Sequence, residues 1–158
     1  MATDKALVGA SGVHYVAFQL SSRRHAVDLT APGVKGVDLV VADAETGATV
    51  NIQVKTMTGA HMDIGKPAER WKWRVGKQLA EGHRHKNFFV AFVDLRGGPP
   101  DAPDVSWDPD VFIVRSAHLD KYVWGFPDEK PRDFWFVMPV KEAYKYSNRW
   151  DQIEEALS

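Results

Sequence analysis

The chain has no cysteine in its 158 residues. That excludes disulfides, thiolate nucleophiles, iron–sulfur clusters and cysteine-ligated zinc together, and it favours an intracellular setting. No apolar run approaches the roughly 20 residues of a membrane helix. The opening Met1-Ala2-Thr3-Asp4-Lys5 lacks the apolar stretch of a secretory leader, so the expectation is a soluble, cytoplasmic protein with no membrane partner. Charge of either sign is not in excess, the formal net being −1, which argues against coating nucleic acid by bulk electrostatics. Internal repeats, low-complexity tracts and long linkers are missing too. What remains is a chain of ordinary composition, of the size of a single domain spanning 1–158.

Apolar residues Leu7, Ala10, Val13, Val16, Ala17 and Leu20 recur at three- and four-residue steps and predict a helix over Lys5 to Arg24, capped by Thr3 or Asp4. Ala26–Leu29 reads as a short strand ended by the turn Thr30-Ala31-Pro32-Gly33. Gly36–Ala42 and Thr49–Thr56 read as strands joined by the tight connection Ala44-Glu45-Thr46-Gly47. Met57–Pro67 reads as a loop, Trp71–Val75 as a strand, and Gly76–His85 as a turn into a short helix. Asn87–Leu95, apolar on both faces, predicts a strand at the centre of the sheet. Beyond the Gly/Pro/Asp-rich loop Arg96–Pro109, a strand is expected at Val111–Val114 and a short helix at Ala117–Trp124. A polar loop Gly125–Asp133, a strand Phe134–Val140 and a helix Tyr144–Leu157 complete the chain. The class is α/β.

Charge is unevenly distributed. Lys66, Arg70, Lys72, Arg74, Lys77, Arg84 and Lys86 face only Glu69 and Glu81, whereas Asp94 to Asp133 is acidic. A local basic block in a neutral protein fits phosphate contact made in one place, with Arg70, Lys72, Arg74 and Lys77 as candidates. The plainer reading is a solvated loop and helix face. Trp71 and Trp73 alternate with these cations and either stack on bases or fill the core beneath a strand. His83-Arg84-His85, with His61 upstream, lacks the third spaced ligand of a zinc site and reads as a basic surface turn. Ser11, Ser21 and Ser22 have no His/Asp partners, so serine hydrolase chemistry is not supported.

The chemistry-bearing segment is Val37 to Thr56. If its turn centres between Glu45 and Thr46, Asp38 stands opposite Gln53, with Lys55 two residues further on the same face. Directly opposed side chains have Cβ atoms about 4.5–5.5 Å apart. An acid, an amide and an amine then converge at one end of the hairpin, away from the face of Val50, Ile52 and Val54. Ionisable groups in apolar strands are costly unless paired or coordinated. An Asp38–Lys55 ion pair stitching two strands is the plain alternative.

Gly36-Val37-Asp38 and Ile52-Gln53-Val54-Lys55-Thr56 resemble the G-hydrophobic-D and hydrophobic-(E/D/Q)-hydrophobic-K motifs of the PD-(D/E)xK (restriction-endonuclease-like) nuclease superfamily, in its QxK variant. NFFVAFVDL and Val111-Phe112-Ile113-Val114-Arg115-Ser116 resemble its later strands, so the likeness runs from Gly9 to Ser116. It implies a restriction-endonuclease-like mixed β-sheet with an N-terminal helix and flanking helices. It also implies a metal-dependent endonuclease acting on DNA phosphodiester bonds with one or two Mg²⁺ or Mn²⁺ ions. Asp38 would bind the metal directly. Gln53 would give a carbonyl oxygen or orient a metal-bound water, and the backbone carbonyl of Ile52 or Val54 would complete the set. Lys55 would hold the attacking hydroxide or stabilise the transition state. A homodimer is expected if both strands are to be cut at once.

One departure bears on activity. Relatives in this superfamily carry a helix glutamate in a pattern like G-E-x-Y-V; here the residues are Gly12-Val13-His14-Tyr15-Val16, with His14 and Gln19 as the nearby polar groups. A single carboxylate would then face the metal. The alternative function is accordingly a non-catalytic DNA-binding or protein-interaction module that retains the nuclease fold.

Overall fold

The three- and four-residue apolar steps of the N-terminal segment become α1 (Ala2–Ser22) in the computed structural model, which describes residues 2–31, 33–63, 69–82, 84–95, 108–125 and 133–158. The helix starts at Ala2, so Thr3 and Asp4 lie within its first turn and not ahead of it. It stops two residues before Arg24, which adopts φ 66° and turns the chain. Val16 and Leu20 are fully buried, but Leu7 and Ala10 are exposed, so only the C-terminal half of the expected face is covered. Gly12 marks the close approach. A Cβ there would lie 1.8 Å from Thr56 Oγ1, a distance only glycine permits. Among the described residues no helix is long and apolar enough to cross a membrane.

The strands are β1 (Ala26–Leu29), β2 (Leu39–Ala42), β3 (Thr49–Met57), β4 (His61–Asp63), β5 (Glu69–Val75), β6 (Phe88–Asp94), β7 (Asp110–Arg115), β8 (Val123–Gly125) and β9 (Phe134–Pro139). They form two sheets. The first is mixed and five-stranded in the order β1-β2-β3-β6-β7; the second is four-stranded and antiparallel in the order β4-β5-β9-β8. Only β3 and β6 run parallel, because the excursion through β4, β5 and the short helix α2 (Lys77–Glu81) intervenes between them. β6 is buried at every position, as its two apolar faces predict, between β3 and β7.

Each face of the first sheet has its own apolar layer. Val16 and Leu20 of α1, with Ile153 and Leu157 of the C-terminal helix, cover Ile52, Val54, Phe89 and Ala91. The opposite face, with Phe88, Val90, Phe92 and Phe112, packs against Trp73, Val75, Phe136 and Met138 of the second sheet. The expectation of one sheet flanked by helices is therefore corrected: helices cover one face and a sheet covers the other. Trp73 is fully buried, its indole N–H donating to the Val93 carbonyl (3.0 Å), and Trp71 stacks beside it with ring centroids 5.8 Å apart. Trp73 is core, not a base platform.

Other boundaries differ as well. Part of the expected loop Met57–Pro67 is β4, paired with β5, and Gly59 turns there at φ 74°. The expected helix Ala117–Trp124 is a 3₁₀ segment, Ser116–Lys121, followed by β8. Of the expected C-terminal helix Tyr144–Leu157 only α4 (Asp151–Leu157) forms; a separate short helix α3 (Val140–Ala143) precedes it, with Asn148 at φ 50° between the two. This intervening segment bonds back along β7, Ile113 N–H to the Tyr146 carbonyl and Asn148 N–H to the Val111 carbonyl, both 2.9 Å. A continuous helix would leave that edge of the sheet open. His83, Lys66 and most of the loops expected at Arg96–Pro109 and Gly125–Asp133 lie outside the described residues.

Candidate functional site

The β2–β3 hairpin owes its register to its turn. The Asp43 carboxylate accepts the N–H groups of Glu45 (2.9 Å) and Thr46 (2.7 Å), which holds Asp43 below the usual carboxylate range, and Gly47 supplies φ 73°. The resulting pairs run from Ala42↔Thr49 to Leu39↔Ile52. This is the register expected from a turn centred between Glu45 and Thr46, so Asp38 comes level with Gln53.

Asp38 itself stands just outside the ladder. Its N–H donates to the Ile52 carbonyl (2.9 Å), its carbonyl accepts the Thr30 N–H (3.0 Å), and its Oδ2 accepts the Val54 N–H (2.7 Å). The carboxylate thus replaces a main-chain carbonyl just ahead of β2, and its other oxygen has no donor among the described residues. Gly36, at φ 87°, turns the chain into this position, and Thr30 Oγ1 secures it by donating to the Val37 carbonyl (2.7 Å). Much of Asp38's bonding is structural.

Asn51, Gln53 and Lys55 lie beside Phe88, Val90 and Phe92 of β6, and so share the face turned toward the second sheet. Gln53 Oε1 is buried without a hydrogen-bond partner. Lys55 is half-buried, and its ammonium bonds to no acceptor among the described residues. Burial lowers its pKa from 10.5, and the attraction of Asp38 opposes that shift without reversing it. The two groups sense each other's charge but form no direct ion pair, so the plain stitching alternative is not what holds the strands. A desolvated amine, an orphaned amide oxygen and a half-free carboxylate therefore meet at one place.

The oxygen atoms available here suit a hard divalent cation in type, with one carboxylate and one amide carbonyl. The Ile52 carbonyl is already engaged by Asp38 N–H. Among the described residues no three His, Asp or Glu side chains cluster as a metal site. Val13 is partly buried in the layer beneath α1, on the other face of the sheet from Lys55, and His14 is exposed.

The basic block is dispersed. Arg70, Lys72 and Arg74 project from the outer face of β5, because Trp71, Trp73 and Val75 take the inner one. Arg74 pairs with Asp133, Lys77 with Glu81 (3.8 Å), and Lys72 sits 4.0 Å from the Trp135 ring centre. Strand alternation turns the three on β5 away from the layer that holds Lys55, so they are not gathered around Asp38 and Lys55. Arg84, bonded to Asp120 (2.9 Å) and to carbonyls of the preceding turn, closes α2. A cleft that the motif did not reveal opens beside the site, lined by Val37, Asn51, His85, Lys86, Asn87 and Phe88. In the sequence Lys86 is one member of the basic block, with nothing to single it out.

No family model, curated protein or solved structure matches the chain.

Proposed function

We propose that the chain is a PD-(D/E)xK-like, metal-dependent nuclease acting on phosphodiester bonds of DNA. The observation that carries this reading is the convergence of Asp38, Gln53 and Lys55, with Lys55 half-buried and without an acceptor among the described residues and Gln53 Oε1 buried without a partner. A structural lysine in a strand commonly ends on a carboxylate; half-buried Lys55 ends on none among the described residues. Asp38 and Gln53 would hold a Mg²⁺ or Mn²⁺ ion. When bound, the ion would polarise a phosphate oxygen and acidify water. The chain's own part follows from the geometry. Lys55 Nζ donates to a non-bridging phosphate oxygen as negative charge grows there, in surroundings where burial strengthens that interaction. The Val54 N–H keeps the Asp38 carboxylate in one orientation, and the Gln53 amide orients a water.

A second reading, a DNA-binding module without catalysis, is favoured by the sparse ligand set, because no three His, Asp or Glu side chains group among the described residues. Titration calorimetry with Mn²⁺ separates the cases, run on the native chain and on Asp38→Ala beside a plasmid-nicking assay. Native binding and nicking, both lost in Asp38→Ala, are the expected result. Equal heats from the two proteins would dismiss the metal site. Metal-dependent binding without nicking would favour the module.

A further inference from the structure

Asn51 and Gln53 share a face of β3 and lie two residues, about 7 Å, apart. Val37 precedes Asp38 directly. The cleft of about 270 Å³ lined by Val37, Asn51, His85, Lys86, Asn87 and Phe88 therefore continues the row Lys55–Gln53–Asn51 outward from the site. Its lining contains no carboxylate. Lys86 is exposed and has no ion-pair partner among the described residues, whereas Arg74, Lys77 and Arg84 each have one. The His85 ring and the Asn51 amide are also exposed and have no hydrogen-bond partner among the described residues, while Asn87 is fixed by donating Nδ2 to the Thr49 carbonyl (3.2 Å). Phe88 and Val37 give the cleft apolar walls.

We infer that this cleft seats the phosphate and sugar of the nucleotide adjoining the one held at Asp38 and Lys55. This deepens the nuclease reading and rests on it. The chemistry fits a sugar–phosphate unit. Lys86 and His85 offer a positive charge and N–H donors to phosphate oxygens, Asn51 offers an amide, and the apolar wall accepts the face of a deoxyribose. A spacing of two strand residues is about that of one nucleotide along an extended backbone. Of the basic block, it is then Lys86 that meets the substrate strand, not the cations of β5.

The experiment is fluorescence anisotropy of a short labelled DNA, single-stranded and duplex in separate arms, titrated with salt in the presence of EDTA so that no cleavage intervenes. Native protein is compared with Lys86→Ala, Lys86→Glu, Asn51→Ala and, as a surface-charge control, Lys141→Ala. The expected result is a several-fold loss of affinity in Lys86→Ala and a further loss in Lys86→Glu. The log–log salt slope should fall by about 0.7–0.9, the value of one phosphate contact, and Lys141→Ala should match the native chain. Unchanged affinity and slope in both Lys86 variants, with native binding intact, overturns the cleft while leaving the nuclease reading standing. If the native chain binds neither DNA, the reading beneath it fails as well.

Discussion

Burial disfavours the ammonium form of Lys55, and that has a consequence for stability. Between its lowered folded-state pKa and the unfolded value of 10.5, the unfolded chain binds more protons than the folded one, so stability rises with pH across that window. The penalty for holding the charge is fully present below it. Lys55→Met should therefore make the protein more stable near neutral pH, flatten this alkaline slope and abolish phosphodiester hydrolysis. Urea unfolding from about pH 7 to pH 10 checks the sign, and a variant less stable than the native chain at neutral pH would show that Asp38 attraction outweighs burial. Hairpin spacing and the motif resemblance named Asp38, Gln53 and Lys55. They did not single out Lys86 within the basic block, because only the fold shows which of its cations have an anion among the described residues.

α1 meets β3 where Gly12 lies against Thr56, so a methyl group there tests the contact. Gly12→Ala gains about 1 kcal/mol of helix propensity. Against that, the new Cβ would lie 1.8 Å from Thr56 Oγ1 and 2.8 Å from its Cβ and Cγ2. Overpacking of this kind costs about 1–3 kcal/mol, so a net loss is expected. Thr56→Ala alone should be nearly neutral, since Oγ1 is buried with no partner. The double variant should recover part of the loss, a non-additivity that thermal melts of the four proteins would measure. Strictly additive losses would mean that α1 shifts freely over the sheet. The helix was legible from its period, but not the end of it that is covered: Leu7 and Ala10 continue the pattern yet stay exposed.

Across the whole molecule, Glu142 ties the 3₁₀ segment to α3. Hydrogen bonds from Lys121 (2.6 Å) first, then from Lys145 (3.2 Å) and the Tyr122 hydroxyl (3.2 Å), hold its carboxyl down at about 2 from 4.5. Its contribution is present above pH 4.5 and disappears as pH falls toward about 2. Glu142→Gln should melt earlier than the native chain at neutral pH and lose less between those values; parallel acid limbs would remove Glu142 from the account of acid unfolding. No sequence pattern marked this cluster, whose members come from the 3₁₀ segment, α3 and the residues just after each. What the sequence determined by itself is local: the period of α1, the two-faced burial of β6, and the hairpin register, because Asp43 and Gly47 build a turn that leaves one pairing. The tertiary structure decided what lies above each face. Trp71 and Trp73 alternate with cations in a way equally suited to a stacking platform and to a core strand. The choice was made by the apolar surface of Phe92 and Phe112 brought across from distant positions, since burial is a property of what two segments share and not of either one alone.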